Sequence, residues 1–212
     1  MKKILLLFFI ALIFVDIPLV TGQPTRYNYK KSQPRFGYGV KAGLNVASQS
    51  SSASEMNIDV KSILGINAGG YVNYFFLKYL GVQGEVMISG KGAHWTDYYD
   101  DRKDILTYAD IPLMVKFQPI SFVNVHAGVQ AGFRIRATQK DLDTGTKNSI
   151  NDYYYLSEYG LVGGVEANLP NKINITLRYI YGLSSATTDI QYIDPWRNNL
   201  IQFSVGYRFQ GR

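Results

Sequence analysis

The stretch Tyr108 to Pro119, YADIPLMVKFQP, places Ile111, Leu113, Val115 and Phe117 at every second position and carries Asp110 and Lys116 between them. Side chains of an extended chain point alternately to opposite faces, so this pattern describes a strand with an apolar medium on one side and a polar one on the other. The same period recurs. Phe36, Tyr38, Val40, Ala42 and Leu44 alternate with Gly37, Gly39, Lys41, Gly43 and Asn45. Val123 to Ile135 alternate with Asn124, His126, Gly128, Gln130, Gly132, Arg134 and Arg136. Ile175, Leu177, Tyr179 and Tyr181 lie opposite Asn174, Thr176, Arg178 and Gly182, and Ile201 to Phe209 lie opposite Gln202, Ser204, Gly206 and Arg208. Only 18% of the residues are charged, against 17 tyrosines, 11 phenylalanines and 20 glycines, a balance that favours strands over solvated helices.

Eight strands are expected, at 35–45, 62–74, 80–91, 105–117, 123–137, 153–168, 173–184 and 200–209. Their connections alternate in length. Residues 46–61, 92–104, 138–152 and 185–199 read as long polar loops, and 75–79, 118–122 and 169–172 as short turns. The fold class expected is therefore all-β: an eight-stranded antiparallel up-and-down transmembrane β-barrel, preceded by a signal peptide and with both termini on the periplasmic side.

The N-terminus supplies the export signal. Lys2 and Lys3 precede the apolar run Ile4 to Val15, and Val20, Thr21 and Gly22 form a small-residue cleavage site before Gln23. An uncleaved anchor is the rival reading, but the run is short for a span and Asp16 and Pro18 interrupt it. The expected organisation is a signal peptide at 1–22, a basic periplasmic tail at 23–34 that could touch anionic headgroups, the barrel at 35–209 and an extension at 210–212. A peptidoglycan-binding domain after Phe209 is not expected. The formal charge of +6 is spread along the chain, which gives no footprint for nucleic acid. The chain has no cysteine, which removes disulfides, thiolate metal sites and a lipid anchor on an N-terminal cysteine.

A secreted, soluble barrel of the lipocalin kind also alternates. The polar face separates the two: glycine and small polar residues fill about half of it, a costly choice for a solvated wall and a fitting one for a narrow lumen. Lys41, Glu85, Asp110, Lys116, Arg134, Arg136, Glu158, Glu166, Arg178 and Arg208 are accordingly placed in the lumen as a polar network. On the lipid side each would cost about 2–4 kcal/mol near the midplane. The cluster reads either as an ion pathway or as a polar plug, and eight strands leave little room for a channel. Pro112 cannot donate to a ladder, so a bulge or an unpaired carbonyl is expected there.

YADIPLMVKF also resembles the Tyr-x-Glu-Ile-Pro-Leu-x-x-Lys segment of the outer-membrane β-barrel domain family of Bacteroidota, known as porin-family or PorT-family proteins, with Asp110 where glutamate is usual. GVKAGLN, HAGVQAGF, LRYIYGL and VGYRF resemble the same family, over Arg35 to Phe209. The resemblance implies the OmpX-like and OmpA-like barrel fold. It also implies that Phe209 acts as the terminal aromatic signal read by the barrel assembly machinery, beside a plain role in the interfacial girdle. It says little about activity. A small structural or surface-binding barrel is one reading. An accessory subunit of an outer-membrane machine, such as the type IX secretion apparatus, is another, and Gly163 and Ala167 on the outward face of the sixth strand are its nearest docking seam.

No enzyme is expected, and no cofactor. His94, near Asp97 and Ser89, does not make a triad by spacing, and His126 reads as a hydrogen-bonding group of the lumen. Asp97, Asp100, Asp101 and Asp104 lack the glycine and terminal glutamate of a calcium loop and are interleaved with Arg102 and Lys103. They read as a solvated loop. Trp95, Tyr98, Tyr99, Tyr153, Tyr154, Tyr155, Tyr192 and Trp196 read as an interfacial belt or, where exposed, as a surface for a glycan or protein ligand.

Overall fold

A computed structural model describes residues 35–51, 59–96, 101–142, 144–187 and 196–210. The expected signal peptide and basic tail lie outside the described residues, as do Asp97, Tyr98, Tyr99, Asp100, Tyr192, Gly211 and Arg212.

The strands are β1 (Arg35–Ser51), β2 (Asp59–Lys61), β3 (Ile63–Phe75), β4 (Leu80–Thr96), β5 (Asp101–Ile120), β6 (Val123–Asp141), β7 (Lys147–Ser149), β8 (Ser157–Asn168), β9 (Ile173–Gly182) and β10 (Trp196–Gln210). The eight long ones pair antiparallel with their neighbours, and β1 pairs with both β3 and β10, so the sheet closes on itself. This is the up-and-down barrel that the alternation describes. β2 and β7 are short additions, paired with the far ends of β4 and β6. Three tight connections gather at one end, the turn end, and the longer ones at the other, the loop end.

β4, β5 and β6 run several residues further towards the loop end than alternation alone marks, because a ladder can continue where both faces are wet and no apolar period is needed. β8 begins later than expected. Asn151–Tyr153 form a 3-10 turn instead, in a run of three tyrosines that carries no alternation. At the turn end Asn171 and Lys172 adopt φ of 61° and 66°, the left-handed backbone of the tight β8–β9 connection.

Pro112 produces no bulge. The register of β4 with β5 is the same on either side of it, Gly84↔Leu113 and Met87↔Asp110, and only the two pairings between are missing. Towards β6 the ladder is continuous through Pro112↔Gln130. A gap without a register shift keeps every side chain on its face. A true bulge lies elsewhere. Thr107 pairs with Arg136 and Tyr108 with Arg134, so Ile135 is the extra residue of β6. Beyond it the inward set of β6 changes parity, from Asn124, His126 and Gln130 to the fully buried Ala137.

The outer wall is apolar. Leu64 and Ile66 are 71% and 72% exposed, and Val86, Leu113, Val129, Ile135, Leu161 and Phe203 continue the band around the ring. A soluble barrel would bury such residues and expose its charges; this wall does the reverse. Phe36, Tyr38, Tyr74, Tyr207 and Phe209 edge the band near the turn end, and Tyr153, Tyr155, Tyr179 and Tyr181 near the loop end. Trp95 and Tyr154 depart from the expected belt. Both are buried, Trp95 edge-on to Trp196 at 4.4 Å between ring centres, because β4 carries its inward parity through residue 95. Leu113→Arg should lower the unfolding free energy in lipid vesicles by about 2–4 kcal/mol, read from the urea midpoint, whereas Lys103→Gln beyond the band should change it by less than about 1 kcal/mol.

Candidate functional site

The barrel interior is filled in layers. Nearest the turn end lies a charged layer built on Glu85 of β4. Its two oxygens accept both terminal nitrogens of Arg178 (β9) at 2.6 Å each, and Lys41 (β1) donates to it at 2.9 Å. Gln83 donates to Glu85 as well and accepts Lys116 (β5) at 2.8 Å. Lys116 then reaches Glu166 (β8) at 2.7 Å, which also receives Asn124 at 3.2 Å and Thr176 at 3.4 Å. Two lysines and an arginine thus share two carboxylates across five strands. Planar bidentate pairing makes the Arg178–Glu85 contact the strongest of these.

His126 (β6) completes the layer. Its Nε2 accepts Arg178 Nε at 2.9 Å, which assigns the proton to Nδ1, and Nδ1 has no partner among the described residues. A guanidinium engaged at all three nitrogens and a neutral imidazole beside it make a structural joint.

The middle layer carries no charge. On the β1, β3, β4 and β10 side, Asn67 donates to Asn45 at 2.9 Å, Asn45 to Ser89 at 2.8 Å, Gln202 to Asn45 at 3.2 Å and Ser204 to Asn67 at 2.8 Å. The remainder is apolar: Ala47, Ile63, Met114, Val162, Ile180 and Leu200 form one buried cluster. Ser89 is therefore a lumen residue committed to Asn45. His94 lies on the opposite face of the same strand, paired in register with Lys61 and Lys103, so Ser89 and His94 cannot share a reaction.

Above it sits a second charged layer. Lys91 (β4), wholly buried, donates to Asp110 (β5) at 2.7 Å and to Glu158 (β8), with its ammonium 4.5 Å from the centre of the Tyr108 ring. Asn198 (β10) donates to Glu158 at 2.7 Å and accepts Gln49 (β1) at 2.8 Å. Gly132 faces this cluster, and a Cβ there would stand 2.7 Å from Asp110 Oδ1; the missing side chain is the space the salt bridge occupies. Over the cluster lies an apolar cap of Leu106, Tyr108, Ala137, Ile150, Tyr154 and Ala186, three of them from the connections beyond the strands. Tyr154 donates to Asp104 at 2.8 Å. Burial and the Asp104 carboxylate push its phenol well above the usual range, so it stays a donor.

Of the ten charges placed in the lumen by alternation, Lys41, Glu85, Asp110, Lys116, Glu158, Glu166 and Arg178 sit in these two layers. Arg208 is half-buried at the turn end, where Nη1 donates to Asn168 at 3.4 Å. Arg134 turns to the loop end and donates to Asn151 and to the Tyr155 carbonyl. Arg136 is outside: the Ile135 bulge puts it on the exposed face, donating to Thr138 at 3.1 Å. Alternation missed Lys91, at the last position of the expected strand, and Asp104, assigned to a loop. Both lie at inward positions of strands that simply run on, so Asp104 is a lumen acid and not a member of a solvated acidic loop. Among the described residues no group of acids and histidines is arranged to hold a metal ion.

The small cavity between Lys116, Asn124, Glu166, Asn168 and Arg208 holds about 10 Å³, the space of one water. A wider recess of about 750 Å³ at the turn end, lined by Lys78, Tyr79, Ile120, Phe122 and Leu169, ends on Gln118, Asn168 and Arg208.

Residues 23–188 match the family described as outer membrane protein beta-barrel domain. Among solved structures, Neisserial surface protein A is similar over 81% of this chain and 97% of its own, at 16% identity and a TM-score of 0.54, a likeness of fold. Ail, the attachment invasion locus protein of Yersinia pestis, solved in complex with the heparin analogue sucrose octasulfate, is similar over 82% and 99% at 16% identity, TM-score 0.48. OprG from Pseudomonas aeruginosa is similar over 84% and 94% at 12% identity, TM-score 0.40. No curated protein matches the chain.

Glu85→Ala should destabilise the barrel by about 3–5 kcal/mol, because Arg178 and Lys41 remain buried without it. Urea titration in vesicles measures this, and the double variant Glu85→Ala with Arg178→Met should recover part of the loss.

Proposed function

The chain belongs to the outer membrane protein beta-barrel domain family, and from that premise we propose that it is a sealed barrel, structural or surface-binding, that conducts neither ions nor solutes. The observation that carries this is the stacking of two fully paired charge layers, an uncharged middle layer and an apolar cap in one narrow interior. Buried ions that each hold partners within hydrogen-bond distance act as filling; a pathway needs sites that release their occupant. In this reading residues 1–22 are removed on export, both termini and the tight turns face the periplasm, and the β4, β5 and β6 extensions stand outside the cell as the surface available to a ligand. The resemblance to PorT-family proteins of Bacteroidota keeps a second role in view, an accessory subunit of a secretion machine. Its docking seam would be the shallow outer wall where Gly163 pairs with Ala127, and nothing lies within 4 Å of a Cβ built on Gly163.

Phe209 is assigned the assembly signal. Its ring lies on the outer face, 5.8 Å from Tyr38 and 5.6 Å from Tyr207 between centres. It therefore contributes to the girdle as well, so assembly and stability must be separated. Phe209→Ala should reduce the membrane-inserted fraction in cells several-fold while moving the urea midpoint of refolded protein by less than about 1 kcal/mol. In planar bilayers the wild-type protein should give no stepwise conductance after insertion is verified by heat-modifiable migration. Reproducible steps of uniform size would overturn the sealed reading.

A further inference from the structure

The extended sheet at the loop end gathers five basic residues in one outward row, with Asp59 and Asp101 at the next outward positions beyond it. In register across five strands, Lys61 (β2) pairs with His94 (β4), His94 with Lys103 (β5), Lys103 with Lys140 (β6), and Lys140 with Lys147 (β7). Directly paired residues share a face. Lys103 follows Ile105 at outward positions of β5, and Lys140 follows Thr138 and Arg136 beyond the bulge of β6, so the row lies on the outer wall. The rows on either side of it turn inward: Arg102 pairs with Trp95 and Asp141 in one, while in the other Asp104 pairs with Ala93 and Gln139 and bonds inside the barrel. Asp104 and Asp141 are thus both at inward positions.

Like charges placed directly opposite one another destabilise a sheet, and here two such lysine pairs share one row. Strands about 4.8 Å apart make this row of five about 19 Å long. No ion pair joins Lys103, Lys140 or Lys147 to another described residue. Its height is informative. On β5 the outward residues from Phe117 to Ile105 cover about 40 Å of strand, or about 30 Å of height at a tilt of about 40°, which is the thickness of a bilayer's hydrocarbon core. Lys103 is the next outward residue, at the level of lipid headgroups, with Lys140 beside it; Arg136 stands lower, paired with Thr107, and its long side chain reaches up towards that level to donate to Thr138.

We propose that Lys103, Arg136, Lys140 and Lys147, continued by Lys61 and His94, form a lipid-facing cationic belt that binds the phosphate groups of membrane lipid at the loop end of the barrel. The position favours a lipid over a soluble polyanion, because the side chains leave the wall sideways at headgroup height. The belt rests on the membrane reading above but not on the orientation, since either leaflet offers phosphate.

The test uses the whole refolded protein in nanodiscs of phosphatidylcholine doped with bisphosphorylated lipid A, reading retained lipid by native mass spectrometry. Wild type should retain lipid A over phosphatidylcholine by about tenfold or more, falling with added salt. The triple variant K103Q/K140Q/K147Q should approach parity, and the turn-end control K78Q/K172Q should match wild type. Dephosphorylated lipid A offered to unmodified protein needs no variant and should lose the enrichment. Equal retention by wild type and triple variant, or of phosphorylated and dephosphorylated lipid, overturns the proposal. So does a triple variant that keeps lipid A but loses binding of a sulfated heparin fragment, which would assign the row to a soluble polyanion. Failure of wild type to insert into any disc would instead refute the membrane reading.

Discussion

Pairing of β1 with β10 is the constraint from which the rest follows. A sheet edge in hydrocarbon leaves backbone N–H and C=O groups without partners, each at a cost of several kcal/mol, so a strand protein that lives in lipid has to close. The closing ladder runs from Tyr38↔Gln210 to Ser51↔Trp196, long enough to cross the whole apolar band. Closure with eight strands then dictates the interior: every second residue points into a space only side chains can fill. The same pleat that gives Leu113 to lipid gives Lys116 and Met114 to the lumen.

Filling that space with ions carries a desolvation cost that each pair must offset. Arg178 does so by meeting Glu85 with two nitrogens and His126 with the third. Lys91 does so by standing between two carboxylates against the face of Tyr108. These contacts join strands that are not neighbours in the sheet: β4 to β9, β4 to β8, β5 to β8. Ladder bonds can slide by two residues and keep every face, whereas a cross-lumen pair such as Lys116–Glu166 meets in one register only. The buried ions therefore contribute specificity of shear more than net stability.

Period-two alternation made the faces legible, and with them the number of strands and the inward position of residues such as Lys41 and Glu166. It did not make partners legible, since the pairing of Lys91 with Glu158 depends on how far strands are staggered around the ring, which no single strand records. It was also blind where its premise ended. Asp104 and Tyr154 lie beyond the apolar band, where a strand or a folded connection has no lipid face to imprint the period, and both are buried all the same. One added residue, Ile135, reversed the assignment of Arg136. Bulges are local backbone events with no compositional mark in a run such as GFRIRATQ, so the face of a charge is predictable only up to the first of them.

The loop-end extension obeys the same ladder without the same solvent. Inside the band, lipid on one face forces every charge to the other. Beyond it the outer face is open to water, and hydration alone gives no reason to set like charges side by side. Yet Lys103, Lys140 and Lys147 stand together in one outward row, with Asp59 and Asp101 at outward positions only beyond it and Asp104 and Asp141 at inward ones. Pairing Lys140 with an acid on its own face would have removed the repulsion at no cost to the strand. A sheet that keeps its cations adjacent, one step beyond its last apolar residue, is matched to an anionic surface at that height, and the row therefore marks where the apolar medium ends.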